Sequence, residues 1–196
     1  MAHILFIQGF CPLKKGYKGY KRLLSYVEHF GSVSCVEYND ADYIEDIATR
    51  VEHLITSNTY SHIICNGTAG SLVLHLMRQR RCDFDRSTIV FCQGSVQPLH
   101  EMSKFSVTMP FRAKFPTFGH SLTVSHMTNV SFTMPSDFTT VFKHYHKNRI
   151  VVIYSCENEV MDRDILQSLD NWQNNHNNIF IHTRSPTKTL YRLLAV

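Results

Sequence analysis

The stretch Ser61–Ser71, with the sequence SHIICNGTAGS, decides the fold of this chain. Its first half, Ser61–Cys65, is a short apolar run that predicts a buried strand. A turn of small residues follows at once, and Leu72–Arg80 then predicts a helix from its apolar spacing. A buried strand that enters a helix through such a turn is typical of a βαβ unit in a parallel sheet.

The same alternation extends outward in both directions, which predicts an open α/β sheet. The first apolar run is continuous, as in strands that are buried on both faces of a parallel sheet. The predicted strands are His3–Gln8, Val33–Tyr38, Ser61–Cys65, Thr88–Cys92, Arg149–Ser155 and Ile179–His182. The predicted helices are Tyr20–Phe30, Tyr43–Ile55, Leu72–Arg80, Met161–Asn175 and Pro186–Leu194. We therefore expect a three-layer α/β sandwich whose mostly parallel sheet has about six strands.

One segment, Gln97–Asn148, interrupts the alternation. It carries Pro98, Pro110, Pro116 and Pro135, and it is rich in aromatic residues and methionine. A long irregular segment inside a compact domain is often functional. We therefore expect a single domain over 1–196, in which 97–148 is an insertion that forms a lid or cap.

Composition excludes several classes of protein. The 196 residues are 43% hydrophobic and 18% charged, which is enough for a packed core and excludes a disordered chain. No run approaches the roughly 18 uncharged apolar residues of a membrane span. A net charge of +4 is too small to indicate nucleic acid as a partner. The six cysteines stand singly and the N-terminus lacks a signal-peptide pattern, so we expect a reduced, cytoplasmic protein.

The turn after the third strand carries the candidate chemistry. Asn66-Gly67-Thr68-Ala69-Gly70, followed by Ser71, fits a small-x-nucleophile-x-small pattern with Thr68 at its centre. Such a junction either exposes a nucleophile on a strained elbow or presents backbone N–H groups to an anion. A shift of one residue would put Gly67 at the centre and leave no nucleophile. A plain βα turn, in which Gly67 and Gly70 allow close packing, is the alternative.

Two further segments resemble the α/β-hydrolase superfamily. Gln8-Gly9-Phe10, directly after the first strand, resembles the His-Gly-Phe loop of these proteins. The resemblance implies an oxyanion hole near Gly9 that is formed by the backbone N–H groups of Phe10 and Ala69. The strand and loop Arg149–Glu159 resembles the segment that carries the acid of the catalytic triad.

The acid and the base both depart from the family pattern. The usual aspartate position falls on Asn158, so the resemblance implies that Glu157 or Glu159 substitutes for it. The base would be His182, at the end of the last predicted strand. In chain order, Thr68, then Glu157 or Glu159, then His182 reproduces nucleophile, acid and base. Among α/β-hydrolases the chain is most similar to the short bacterial esterase-like family of the YqiA/YcfP type, with a degenerate triad.

Two functions follow from this resemblance. The first is a hydrolase that acts on an ester or thioester of a small acyl substrate. The second is a catalytically inactive relative, a pseudoenzyme, that binds a ligand or a protein partner. The departures at Thr68, at Asn158 and in the loop of the base discriminate between them, because three departures together favour lost catalysis.

Other site chemistries lack the necessary spacing. His144 and His146 stand two residues apart, but no third metal ligand follows from the sequence, so we expect no metal. We expect no dinucleotide cofactor either, because the first strand is followed by Gln8-Gly9-Phe10-Cys11-Pro12 instead of a GxGxxG turn. The basic stretch Lys14–Arg22 follows the predicted oxyanion loop, where it would attract an anionic substrate or simply be solvated.

Overall fold

The structure, a computed structural model, describes residues 2–8, 18–36, 44–66, 69–84, 87–92, 138–155 and 178–195. Strands and helices alternate along these residues: β1 (Ala2–Ile7), α1 (Lys18–Glu28), β2 (Gly31–Cys35), α2 (Ile44–Ser57), β3 (His62–Asn66), α3 (Ala69–Gln79), β4 (Thr88–Cys92), α4 (Phe138–Lys143), β5 (Ile150–Ser155), β6 (Ile179–Thr183) and α5 (Pro186–Leu194). Within the described ranges, no helix has the length and apolarity needed to cross a membrane.

The strands form one sheet in the order β2-β1-β3-β4-β5-β6. Every neighbouring pair is parallel, as expected where helices connect successive strands. His62 lies level with Thr88 and Asn66 with Cys92, so β3 and β4 start and end together, whereas β1 begins two residues before its first pair with β3, Ile4 with His62. The α/β class and the six-stranded parallel sheet predicted from the sequence are confirmed.

Side chains of the central strands alternate between two buried faces. One face packs against α2, α3 and α4, and its strand residues are Leu5, Ile7, Ile63, Cys65, Ile89, Phe91, Ile150 and Val152. The other packs against α1 and α5, and its strand residues are Ile4, Phe6, Ile64, Val90, Cys92, Val151 and Ile153. Because successive residues of a strand point to opposite faces, continuous apolar runs cover both. The three-layer arrangement is confirmed.

The second strand begins two residues earlier than the sequence predicts. Gly31 starts β2 and lies opposite Ala2 of β1. A Cβ at Gly31 would collide with the carbonyl oxygen of Ala2, so the pairing depends on glycine there. The apolar pattern of the sequence does not place this residue in β2, because glycine has no side chain to contribute to such a pattern.

The end of the Gln97–Asn148 segment belongs to the packed core. Phe142 of α4 is buried and packs against Phe91 of β4, with 5.7 Å between the ring centroids. Asn148 is buried and donates through Nδ2 to the carbonyl oxygen of Ser87 at 3.1 Å. Residues 97–137, which hold the rest of the predicted lid, lie outside the described residues, as does the predicted helix Met161–Asn175.

Candidate functional site

The candidate site lies at the edge of the sheet where β1 and β3 end. From β1 the chain crosses to β2 on one side, and it returns to β3 on the other side of β1. Helix α1 packs on one face of the sheet, and α2 and α3 pack on the other. This change of direction is a topological switch point. In open α/β sheets, ligands bind beyond the carboxyl ends of the strands at such a point.

A side-chain hydrogen bond spans the switch point. Asn66, the last residue of β3, donates through Nδ2 to Oε1 of Gln8 at 3.0 Å. Gln8 directly follows β1, and the register pairs Ile7 with Cys65, so Gln8 and Asn66 are the next residues on their strands. Both residues lie on the face that packs against α1, because Phe6 and Ile64 two residues earlier point there.

Asn66 is enclosed at this edge. Its exposed fraction is 7%, which is unusual for an amide side chain. Among the described residues, no donor reaches its Oδ1 atom. A buried amide oxygen without a donor destabilises a fold by about 1–3 kcal/mol. Within the part of the chain that the structure describes, Asn66 Oδ1 is thus a buried acceptor without a donor, and it lies at the strand end directly before Gly67 and Thr68 in the sequence.

Helix α3 begins closer to this edge than the sequence predicts. It starts at Ala69, so Ala69, Gly70 and Ser71 belong to the helix and not to the preceding turn. Ala69 and Gly70 are buried, and their small size lets the helix start against the strand ends. The first N–H groups of a helix have no acceptor within it. The backbone N–H of Ala69, a predicted oxyanion donor, is therefore not used by the helix.

The other predicted site residues are described only in part. Thr68 and Gly67 follow β3, Gly9 and Phe10 follow Gln8, and Glu157, Asn158 and Glu159 follow β5; all seven lie outside the described residues. The structure therefore fixes the strand ends from which these segments leave. It places neither the predicted nucleophile nor the predicted acid.

The predicted base lies within β6. His182 is paired with Tyr154 of β5, and β6 continues for one more residue to Thr183. The backbone of His182 is thus held by the sheet, one residue before the end of β6, whereas the sequence predicts His182 as the last residue of this strand. It is also the last histidine in the sequence.

Two buried thiols lie near the strand ends. Cys92 ends β4 beside Asn66, and burial raises the pKa of its thiol to about 12. Burial also raises the pKa of the Cys65 thiol, with a smaller contribution from Cys92. Because the thiolate is the reactive form, burial of both side chains in the core disfavours a nucleophilic role for either cysteine. Cys65 and Cys92 also point to opposite faces of the sheet, which excludes a disulfide between them.

A separate cluster of charged residues joins α2 to α3. Arg81 donates through Nε to Oε2 of Glu52 at 2.8 Å, and it forms an ion pair with Glu45. His75 of α3 is buried, and its Nε2 lies 3.9 Å from Oε2 of Glu45. Within the described ranges, no three His, Cys, Asp or Glu residues are grouped so that they could hold a metal ion. Through these ion pairs Arg81, directly after the end of α3, is connected to Glu45 and Glu52 of α2.

Gln8 has a role that its residue type alone does not predict. In the resemblance to the His-Gly-Phe loop, Gln8 only replaces the histidine, and nothing there predicts its bond to Asn66. A signal does exist in the sequence. Gln8 and Asn66 are the polar residues that end two apolar runs, and neighbouring parallel strands bring their ends together.

Several solved structures share this fold. A lipase-esterase related protein from Clostridium acetobutylicum matches with a TM-score of 0.55 and 11% identity, covering 98% of this chain and 93% of that one. E-2-(Acetamidomethylene)succinate hydrolase matches with a TM-score of 0.60 and 11% identity, covering 99% of this chain and 90% of the hydrolase. The thioesterase domain from the curacin biosynthetic pathway matches with a TM-score of 0.56 and 9% identity, covering 100% of this chain and 91% of that domain.

Two comparisons of the sequence with known proteins found no match. No protein-family model matches it, and no curated protein matches it. At the identities of the structural matches, the likeness concerns the fold alone. The chain therefore has the α/β-hydrolase fold, which confirms the fold predicted from its sequence.

Proposed function

We propose that this chain hydrolyses an ester or thioester of a small acyl substrate. In this proposal Thr68 is the nucleophile, His182 is the general base, and Glu157 or Glu159 orients the base. The observation that carries the proposal is the switch point, where Gln8 and Asn66 meet at the carboxyl edge of the sheet. Thr68 comes two residues after Asn66, so the predicted nucleophile follows the strand end at which a ligand is expected.

The order of the strands supports the assignment of roles. The proposed nucleophile follows β3, the proposed acid follows β5 and the proposed base lies in β6, so all three come from the carboxyl side of one parallel sheet. Nucleophile, acid and base also occur in this chain order in α/β-hydrolases. The short bacterial esterase-like family is the family that we propose.

The proposed reaction proceeds in two steps. Thr68 Oγ1 attacks the acyl carbon while its proton moves to His182, and the carbonyl oxygen becomes an oxyanion held by the N–H groups of Ala69 and Phe10. The alcohol or thiol leaves with the proton from His182, and an acyl-threonine remains. Water then loses a proton to His182 and attacks this acyl group. The second tetrahedral intermediate collapses to the carboxylic acid, its bond to Thr68 Oγ1 breaks, and His182 returns the proton to that oxygen.

The position of His182 favours a second candidate, a catalytically inactive relative that binds a ligand or a protein partner. Strands β4 and β5 separate β6 from β3, so the axes of β3 and β6 lie about 14 Å apart. A base in the loop beyond β6 could lean across that gap. A residue held in strand pairing has less freedom to do so, and His182 is paired with Tyr154.

The test compares hydrolysis of short acyl esters and thioesters by the wild-type chain and by Thr68→Ala. If the proposal holds, the wild-type chain turns over and Thr68→Ala loses at least about 1000-fold in kcat. Thr56→Ala is the matched control, because Thr56 is exposed near the end of α2, and we expect its kcat to be unchanged. Equal turnover by the wild-type chain and Thr68→Ala would exclude Thr68 as the nucleophile.

The same assay tests the base and the acid. His182→Gln should lose activity as Thr68→Ala does, and wild-type kcat/KM should rise with pH as the base loses its proton. Of Glu157→Gln and Glu159→Gln, only the variant that removes the orienting acid should lower kcat. Absence of turnover by the wild-type chain on every ester and thioester would overturn the proposal and favour the inactive relative.

A further inference from the structure

We propose that Gln8 and Asn66 are positioning residues. Their side-chain hydrogen bond aligns Gly9-Phe10, which carries one proposed oxyanion donor, with Gly67-Thr68, which carries the proposed nucleophile. This inference rests on the proposed hydrolase function. The bond joins two segments that are 58 residues apart in the chain. It lies where both segments leave the sheet, and neither residue needs to contact the substrate for this role.

The bond extends the pairing of β1 and β3 by one step. The registered pairs of these strands run from Ile4 with His62 to Ile7 with Cys65. The next residues are Gln8 and Asn66, which are joined through their side chains at 3.0 Å. The two strand ends are thus held together beyond their last registered pair.

Because Asn66 is buried, its side-chain amide depends on the bond to Gln8. Asn66 is 7% exposed, so without Gln8 its Nδ2 atom would lose its partner in a place that water reaches poorly. Gln8 is only half-buried and can be changed with less effect on packing. The two residues therefore differ in their importance for stability while sharing one bond.

The neighbouring residues connect this bond to the reaction. Gly9-Phe10 directly follows Gln8 and carries one proposed oxyanion donor. Gly67-Thr68 directly follows Asn66 and precedes Ala69, which carries the other donor. An error of about 1 Å in the position of reacting groups can lower a rate about 100-fold. A bond at the base of both segments therefore affects kcat, while KM depends on contacts made elsewhere.

The test is a double-mutant cycle in the full chain. Gln8→Met keeps the length of the side chain and removes the bond, and Asn66→Leu removes it from the other side. Each variant should lower kcat about 10- to 100-fold with KM changed by less than about threefold. The kcat of the double variant should be no lower than that of the less active single variant, because the bond is broken only once.

Two further variants separate positioning from stability. Ser87→Ala removes a buried hydrogen bond from Ser87 Oγ to the carbonyl oxygen of Tyr60, 2.7 Å long and at the opposite edge of the sheet. It should lower Tm and leave kcat unchanged. Gln8→Asn keeps an amide but is one methylene shorter, so it should lower kcat as Gln8→Met does. This variant keeps the test decisive if Asn66→Leu does not fold.

Three outcomes would overturn the inference alone: a wild-type kcat in Gln8→Met and Gln8→Asn, losses that multiply in the double variant, or a loss of kcat in Ser87→Ala equal to that in Gln8→Met. In each of these the wild-type chain still turns over. A wild-type chain without turnover would instead overturn the proposed function, and the inference with it.

Discussion

The phenol of Tyr145 donates a hydrogen bond to the backbone carbonyl oxygen of Met77, with 2.8 Å between the two oxygens. The same carbonyl accepts the backbone N–H of Arg80 at the end of α3. The ring of Tyr145 packs edge-on against Phe84, with centroids 5.4 Å apart, and burial raises the pKa of Tyr145 to about 12. Through this hydrogen bond Tyr145 connects the turn after α4 to the last turn of α3.

Replacing Tyr145 with phenylalanine should lower the free energy of unfolding by about 1 kcal/mol, because the change removes the bond to Met77 and keeps the ring. Urea denaturation measures the difference. Tyr191→Phe is the control, since Tyr191 is 43% exposed and its change should have little effect. Equal stability of Tyr145→Phe and the wild-type chain would contradict the role of the phenol.

Replacing Arg80 with glycine should stabilise the chain. Arg80 follows α3 with a φ of 53°, in the left-handed region that favours glycine. The N–H groups of Arg80 and Arg81 bond to the carbonyl oxygens of Met77 and Leu76, which is the Schellman arrangement of a helix end. Glycine relieves the strain of the left-handed position, but it also gives the unfolded chain more conformational entropy. The net result should be a rise of about 0.5–1 kcal/mol in the free energy of unfolding.

The control for Arg80→Gly lies two residues earlier. Arg78 is within the last turn of α3, and Arg78→Gly should lower the free energy of unfolding by about 1 kcal/mol. Urea denaturation of both variants should therefore give changes of opposite sign. Destabilisation by both would show that the left-handed position does not strain Arg80.

Replacing Gly31 with alanine should weaken the edge of the sheet. The added Cβ would collide with the carbonyl oxygen of Ala2, so β1 and β2 would have to separate there. We expect a loss of about 1–3 kcal/mol in the free energy of unfolding. Ser32→Ala, at the exposed next residue, should change it by less than about 0.5 kcal/mol. Thermal unfolding that is unchanged in Gly31→Ala would refute the collision.

Acidification should destabilise the chain through His75. Burial lowers the pKa of His75 below 6.5, and nearby Arg81 and Arg78 lower it further, while Glu45 opposes them. The unfolded chain therefore binds more protons than the folded chain as the pH falls through 6.5. The stabilising contribution is fully present above that pH and decreases below it, with a slope of at most about 1.4 kcal/mol per pH unit.

The pH dependence is measured by urea denaturation between about pH 5 and pH 8. His75→Gln should reduce the slope, whereas His53→Gln, at an exposed position on α2, should not. His62 contributes with the same sign, because burial and Arg149 lower its pKa. A slope that is unchanged in His75→Gln would contradict the prediction for His75.

The sequence predicts those parts of the fold that depend on local patterns. The bounds of β4 (Thr88–Cys92) and α5 (Pro186–Leu194) match residue for residue, since an apolar run and a proline at the first helical position mark them. The start of α3 was predicted three residues late, because Ala69, Gly70 and Ser71 suit a turn as well as a helix. Helix α4 has six residues, too few for a helical period to be visible.

The site depends on long-range pairing, which the sequence predicts less well. That a helix closely follows β3 is evident from local residue types. The bond between Gln8 and Asn66 is not, because it depends on the register in which Ile7 pairs with Cys65. Similarly, the apolar run predicts that the last strand ends at His182, whereas pairing with β5 extends β6 to Thr183.

The central place of β1 in the sheet has a consequence for the synthesis of the chain. Strand β1 pairs with β3, which is synthesised later, and the contact between His3 and Ser61 spans 58 residues. At a synthesis rate of roughly 5–20 residues per second, β1 waits about 3 to 12 seconds for this partner. The sheet can therefore close around β1 only after β3 has been synthesised.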